Sequence, residues 1–231
     1  MDNTNIKSDI PEEYITGKAY FCDLEFKVTE DVLIPRIETE KLVDIIVDYI
    51  KTNKLENNKE LKILDLGTGS GCIAVTLAKK LPNLRIDAID ISPKALVIAK
   101  ENAITNGVGE RVNFIENNLI ENINTHYNII VSNLPYIPTS RIPILENSVK
   151  NFEPTLALDG GEDGFELYRK LFRQTIDNKI NPDFIAIEFD DDHSELSIKE
   201  AKKYFTNHTI NIEKDLFKYN RFLTIQSIKN I

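Results

Sequence analysis

The chain of 231 residues is 42% hydrophobic and 28% charged, with a formal net charge of −9. One large domain or two small ones fit that length, and folding would bury about 70% of the unfolded surface. The acidic balance argues against stable, indiscriminate binding to nucleic acid or to an anionic membrane, and it would attract a basic protein partner.

In chain order, residues 1–13 are polar, carry no apolar signal segment and are expected to be loose. Tyr20–Val28 alternates in its second half and reads as a strand, expected to pair as a hairpin with the apolar piece Val32-Leu33-Ile34. Thr39 stands as a helix N-cap before the helically spaced stripe Leu42, Val43, Ile46, Val47, Tyr49 and Ile50. A polar linker, 52–59, then closes a leading segment, 14–60, and the main domain is expected over 61–231.

The strand Leu61–Leu66 runs into Gly67-Thr68-Gly69-Ser70-Gly71, and a helix follows from Cys72 to Leu81. Leu84–Asp90 is the next strand. Ser92-Pro93 opens a helix as N-cap and first-turn proline, and Asn106-Gly107 ends it. Strands are expected at Arg111–Ile115 and Tyr127–Val131. Residues 139–162 hold prolines and a glycine pair and read as a long functional loop. A helix at 165–176, the strand Phe184–Glu188, a polar helix near 194–205 and two closing antiparallel strands near 208–213 and 221–228 complete the chain. This alternation predicts an α/β fold, a mostly parallel sheet with helices on both faces. No apolar run approaches the ~20 residues of a membrane span. Cys22 and Cys72 lack metal-ligand spacing and read as reduced thiols, so a cytoplasmic protein is expected. His126, His193 and His208 are scattered and suggest no metal site.

The chemistry concentrates at strand ends, where open α/β sheets bind ligands. The glycine turn permits close backbone approach to a ligand, and by itself suits NAD, FAD or S-adenosylmethionine. Its third glycine comes one residue earlier than in the dinucleotide fingerprint G-x-G-x-x-G. Asp90 ends the following strand, 23 positions after Gly67, where a carboxylate can accept from ribose hydroxyls. Asp65 suits either a ligand ammonium or the loop's own amides. At the end of the strand before it, Asn133-Leu134-Pro135-Tyr136 sets a side-chain amide and a fixed carbonyl beside an aromatic face. Two fixed acceptors suit a planar NH2 group, an amide or a base amine.

Residues from about Tyr14 to Gln226 resemble the class I methyltransferases that methylate glutamine side chains of translation release factors, the protein-(glutamine-N5) methyltransferase or HemK family. The resemblance rests on Ile-Pro-Arg-Ile-Glu-Thr-Glu (34–40), Asp-Leu-Gly-Thr-Gly-Ser-Gly-Cys-Ile-Ala (65–74), Asn-Leu-Pro-Tyr-Ile-Pro (133–138) and Phe-Glu-Pro-Thr-Leu-Ala-Leu-Asp-Gly-Gly-Glu-Asp-Gly (152–164), and on Ile187-Glu188 with Asp215 through Arg221. The first and last of these discriminate, since the glycine loop belongs to all class I methyltransferases. The resemblance implies a seven-stranded sheet ending in an antiparallel pair, preceded by a short β-hairpin, with S-adenosyl-L-methionine as cofactor. It implies that Gly67, Thr68, Gly69, Ser70 and Gly71 line the methionine part, that Asp90 holds the ribose, and that Asn118 and Leu119 flank the adenine. Asn133, which also borders the cofactor, would hold the substrate amide with Leu134 and the Pro135 carbonyl, and Tyr136 would pack on it.

Three features depart from the family pattern. Asn118 stands where an acid is usual, and Leu134 where proline is usual. Few residues precede the matched region, so most of the family's N-terminal helical domain is expected to be missing. The implied partner is a peptide chain release factor. Two rivals remain at this stage: a nucleic-acid adenine amino-methyltransferase, which needs the same grip on an exocyclic amine, and a non-catalytic module that binds a release factor. The −9 charge and the 34–40 match weigh against the first.

Overall fold

A computed structural model describes residues 9–228. Among these, α1 (Glu12–Thr16) is a short helix closed by Gly17 in the left-handed region, φ 72°. It overlaps the end of the stretch expected to be loose, of which residues 1–8 lie outside the described residues. A hairpin follows, β1 (Lys18–Phe21) and β2 (Leu24–Lys27). It folds the first apolar run back on itself, starting two residues ahead of it at Lys18, and does not use Val32–Ile34. Cys22 and Asp23 both have positive φ, 48° and 61°, as a two-residue I′ hairpin turn requires. That register turns Phe21 and Phe26 into the core, while Val32 and Ile34 are buried beside Ala19 and Val28 without joining a ladder.

The helix α2 (Glu40–Thr52) leads into β3 (Ile63–Leu66), α3 (Cys72–Lys80), β4 (Ile86–Asp90), α4 (Pro93–Thr105), β5 (Val112–Glu116) and β6 (Ile129–Ser132). After a long connection with the one-turn helix α5 (Asn147–Lys150) come α6 (Glu166–Asp177), β7 (Phe184–Glu188), α7 (Ser194–Tyr204), β8 (His208–Lys214) and β9 (Asn220–Ser227). The seven strands of the main sheet lie in the order β5-β4-β3-β6-β7-β9-β8. The first five are parallel, and β9 runs antiparallel between β7 and β8. The expected α/β class, seven-stranded sheet and separate hairpin are all present.

Strand periodicity splits the core into two layers. Ile63, Val131 and Ala186 face α2 and α3, while Leu64, Leu66, Ile130, Ile185 and Ile187 face α6 and α7. β3 and β7 are buried at every position, which explains why they are apolar apart from the buried acids Asp65 and Glu188. After β3 the chain moves outward to β4 and β5, then crosses back to β6 on the other side of β3. Such a switch opens a crevice at the carboxyl ends of β3 and β6. The 139–162 segment is more ordered than its composition implied. Two 3-10 turns, Thr139–Ile144 and Thr155–Ala157, flank α5, and Ile137 pairs with Asp159.

Candidate active site

A cavity of about 350 Å³ opens at that crevice. Its floor is the glycine turn. Gly67, at φ 70°, packs so closely against Leu134 that a Cβ would meet Leu134 Cδ2 at 2.8 Å. The Gly69 amide donates to Asp90 Oδ2 at 2.8 Å, and Ser92 N–H donates to Asp90 Oδ1 at 2.9 Å. Asp90 thus ties the turn to the end of β4 while bordering the cavity. Burial lifts its pKa, partly opposed by those amides.

Asp65 is fully buried, and its Oδ2 accepts from Thr68 Oγ1 at 2.6 Å and from Ala74 N–H at 3.2 Å. One carboxylate oxygen therefore satisfies the loop and the first turn of α3, and Oδ1 has no partner. Burial pushes its pKa up to about 7.

Of the residues singled out from sequence, Gly67, Thr68, Gly69, Ser70, Asp90, Asn118, Leu119, Asn133, Leu134 and Pro135 all line the one cavity. Two do not. At Gly71, φ 82°, a Cβ would lie 3.1 Å from Ala99 Cβ, so this glycine seats α3 against α4. Tyr136 turns away from the cavity and donates its hydroxyl to Glu188 Oε1 at 3.2 Å.

The residues that shape the site but escaped the sequence reading come from distant segments. Asn133 Nδ2 donates to Thr39 Oγ1 at 3.1 Å, and Thr39 Oγ1 donates to Glu188 Oε2 at 2.8 Å. Thr39 occupies the N-cap position of α2, yet makes no capping hydrogen bond: its backbone is already helical, φ −64°, and its hydroxyl oxygen accepts from Asn133 Nδ2 instead. Tyr168 OH donates to the Glu188 carbonyl at 2.5 Å and accepts from Leu134 N–H at 2.9 Å. A proline at 134 would have no N–H to give. Glu188 is buried, and that burial pushes its pKa up to about 7 against the opposing pull of Thr39, Arg221 and Tyr136.

Two further contacts join the separated motifs. Arg36 Nη2 donates to both carboxylate oxygens of buried Glu153, at 2.6 and 2.7 Å. Arg36 and Pro154 both line the cavity, so this pair binds the 34–40 stretch to the 152–164 stretch at its wall. Asn102 bridges the hairpin and the glycine turn. Its Oδ1 accepts from Lys27 N–H at 2.7 Å, and its Nδ2 donates to the Ser70 carbonyl at 2.8 Å. The only hint in sequence was that Thr39 and Glu188 sit inside motifs carrying the family resemblance.

The strand order, the reversed final pair, and a glycine turn bound to the acid ending β4 define a class I S-adenosylmethionine-dependent methyltransferase fold. The sequence model of the methyltransferase small domain family matches residues 43–160. The release factor glutamine methyltransferase of Flavobacterium psychrophilum is 40% identical over 225 residues, covering 95% of this chain and 76% of that protein. That of Lactococcus lactis is 38% identical over 217 residues, covering 94% and 77%. Among solved structures, the N-terminal domain of human METTL16 in complex with SAH superposes with a TM-score of 0.64 at 16% identity, covering 90% of this chain and 76% of that one, a likeness of fold. The chain belongs to the release factor glutamine methyltransferase family, and it is a methyltransferase. No described helix is long and apolar enough to cross a membrane.

Proposed function

We propose that the protein methylates the glutamine side-chain amide of the Gly-Gly-Gln motif in a peptide chain release factor, with S-adenosyl-L-methionine as methyl donor. One observation carries the reading: among the described residues no protein donor reaches Asn133 Oδ1 or the Pro135 carbonyl, and both residues border the cavity. Two uncommitted acceptors match the two N–H bonds of a primary amide.

The residues present fit the cofactor. Gly67 to Ser70 bring backbone against the methionine part, and Gly71 supports the turn from behind. The orphaned Asp65 oxygen leaves an unused acceptor beneath the turn. Asp90 keeps a lone pair on each oxygen for the ribose hydroxyls, and Asn118 and Leu119 flank the adenine. When bound, the cofactor supplies an electrophilic methyl on a sulfonium. An amide nitrogen is a weak nucleophile because its lone pair is delocalised. Asn133 Oδ1 and the Pro135 carbonyl would grip both N–H bonds, aim the nitrogen at the methyl and stabilise the positive charge that grows there. The N–CH3 bond forms as the S–CH3 bond breaks, and one N–H proton then leaves to water. Tyr136 contributes by bracing the turn through Glu188. In this reading residues 61–231 carry the chemistry, and 14–60 close its wall through Arg36 and Thr39. The acidic chain would meet a basic surface of the factor.

The test is to incubate the protein with labelled S-adenosylmethionine and separate release-factor and ribosomal RNA pools, then locate the product by mass spectrometry. The expected product is one methyl on the glutamine of Gly-Gly-Gln. Label on RNA alone would overturn the substrate, and binding of the factor with no transfer would favour a binding module.

A further inference from the structure

We infer that Thr39 and Glu188 are positioning residues that decide which end of the Asn133 amide faces the substrate. The inference rests on the acceptor role proposed above for Asn133. A side-chain amide has two opposite ends of nearly equal size, and only its hydrogen-bond partners select between them. Thr39 has a single hydroxyl proton. Oγ1 lies 2.8 Å from Glu188 Oε2 and 3.1 Å from Asn133 Nδ2. A carboxylate accepts only, so the proton goes to Glu188, and the hydroxyl oxygen can then only accept from Asn133. The NH2 end is drawn to Thr39 and the carbonyl end is left for the cavity. The reverse orientation would set the Asn133 oxygen against an oxygen with no proton to offer, and would present a donor to a substrate NH2 that itself donates.

Glu188 secures the remainder of the same turn. Its other oxygen takes the Tyr136 hydroxyl proton, and its main-chain carbonyl takes that of Tyr168, which in turn holds Leu134 N–H. The charged groups that act on it are Arg221 on β9 and Glu38 ahead of α2. Thr39 and Glu188 lie 149 positions apart; Thr39 borders the cavity beside Asn133, and Glu188 stands behind it.

The test is a double-mutant cycle on kcat with the release factor as substrate, with cofactor affinity and melting temperature measured in parallel. Thr39→Val keeps the shape and removes the hydroxyl. It is expected to lower kcat about tenfold and to change cofactor Kd less than about twofold. Thr39→Ser should recover kcat to within about threefold of the parent. In an Asn133→Ala background Thr39→Val should add less than about twofold, since no amide is left to orient. Equal factors in both backgrounds would overturn the inference while leaving Asn133 as an acceptor. If Asn133→Ala alone kept the parent kcat, the acceptor assignment and this inference would fall together. Should Thr39→Val not fold, Glu188→Gln serves in the same cycle: a loss of several-fold in the parent that shrinks below about twofold beside Asn133→Ala supports the relay, and equal losses overturn it.

Discussion

The two halves of the cavity are built in different ways. The glycine-turn half comes from one continuous β-α-β stretch, residues 63–92, and is held by bonds spanning few positions, such as Gly69 N–H to Asp90 and Thr68 to Asp65. The acceptor half is gathered from afar. Asn133 is oriented by a threonine 94 positions away, which is anchored by a glutamate 149 positions from it. The first half takes most of its polar anchors from within that stretch, with Asn102 reaching in to the Ser70 carbonyl. The second exists only once the leading segment, β6, β7 and the 152–164 stretch have met. A generic binding loop is thus set by local sequence, while the amide selectivity proposed for the site would depend on assembly of the whole domain.

Substitutions can separate the two. The largest effect should come from Asn133→Ala, with kcat falling about 10²–10³-fold, the scale for losing one transition-state hydrogen-bond partner. Calorimetry should show cofactor affinity nearly unchanged. Equal losses in both quantities would place Asn133 in the cofactor half and erase the division. Asp90→Ala should do the reverse. Two backbone amides lose their acceptor and the turn loosens, so cofactor affinity should drop about 100-fold in a chain that still melts cooperatively. Parent-like affinity would mean that the turn needs no such anchor.

Gly160 sharpens the contrast, because it lies in the 152–164 stretch, outside both the glycine turn and the 133–138 motif, yet backs the second acceptor. A Cβ there would sit 2.7 Å from the Pro135 carbonyl oxygen and 2.7 Å from Tyr136 Cα. Gly160→Ala should shift that carbonyl and lower kcat about tenfold, with cofactor affinity intact. An unchanged kcat would show that Pro135 is not part of the grip. Leu134→Pro tests the brace together with the Leu134 side chain that packs against Gly67. It removes the N–H donated to Tyr168, and denaturant titration should show a loss of about 1 kcal/mol.

The smallest effect is in pH. Glu188 has a carboxyl pushed up to about 7 by burial, above its unfolded value of 4.5. The stability contributed by its neutral form is fully present below pH 4.5 and is lost as pH rises through about 7. The melting temperature of the parent relative to Glu188→Gln should therefore fall over that interval. kcat should move the other way, rising through about 7 as the carboxylate needed by Thr39 appears. A kcat that falls with rising pH while the parent's relative stability rises would contradict the wiring of the acceptor half.

Much of the fold was legible beforehand. Alternating and continuous apolar runs placed every strand of the main sheet, and Ser92-Pro93 and Asn106-Gly107 marked the bounds of α4. Glycine spacing and strand-end carboxylates located the cavity, and ten of the twelve residues singled out for the site line it. The misplacements share a cause. Gly71 looked like part of the ligand cradle because glycine spacing does not say which backbone faces a ligand and which faces a helix. Thr39 looked like a helix cap because capping is a local rule, and its hydroxyl oxygen accepts from an amide 94 positions away instead. Val32–Ile34 looked like a hairpin strand because its residues are apolar, although the I′ turn at Cys22-Asp23 had already closed the hairpin.

Sequence alone determined the elements and the class of fold, because helix and strand periods, caps and glycine turns act over a few residues. It also determined the chemical types available at strand ends: an acid at 90, an amide at 133 and a rigid carbonyl at 135. Only the tertiary structure decided which end of the Asn133 amide would face the cavity, that Tyr136 would brace rather than line it, and that Arg36 and Glu153 would join two distant stretches at its wall. Those outcomes depend on part-buried hydrogen bonds between groups 52 to 117 positions apart, so each proton goes to whichever acceptor the packing provides.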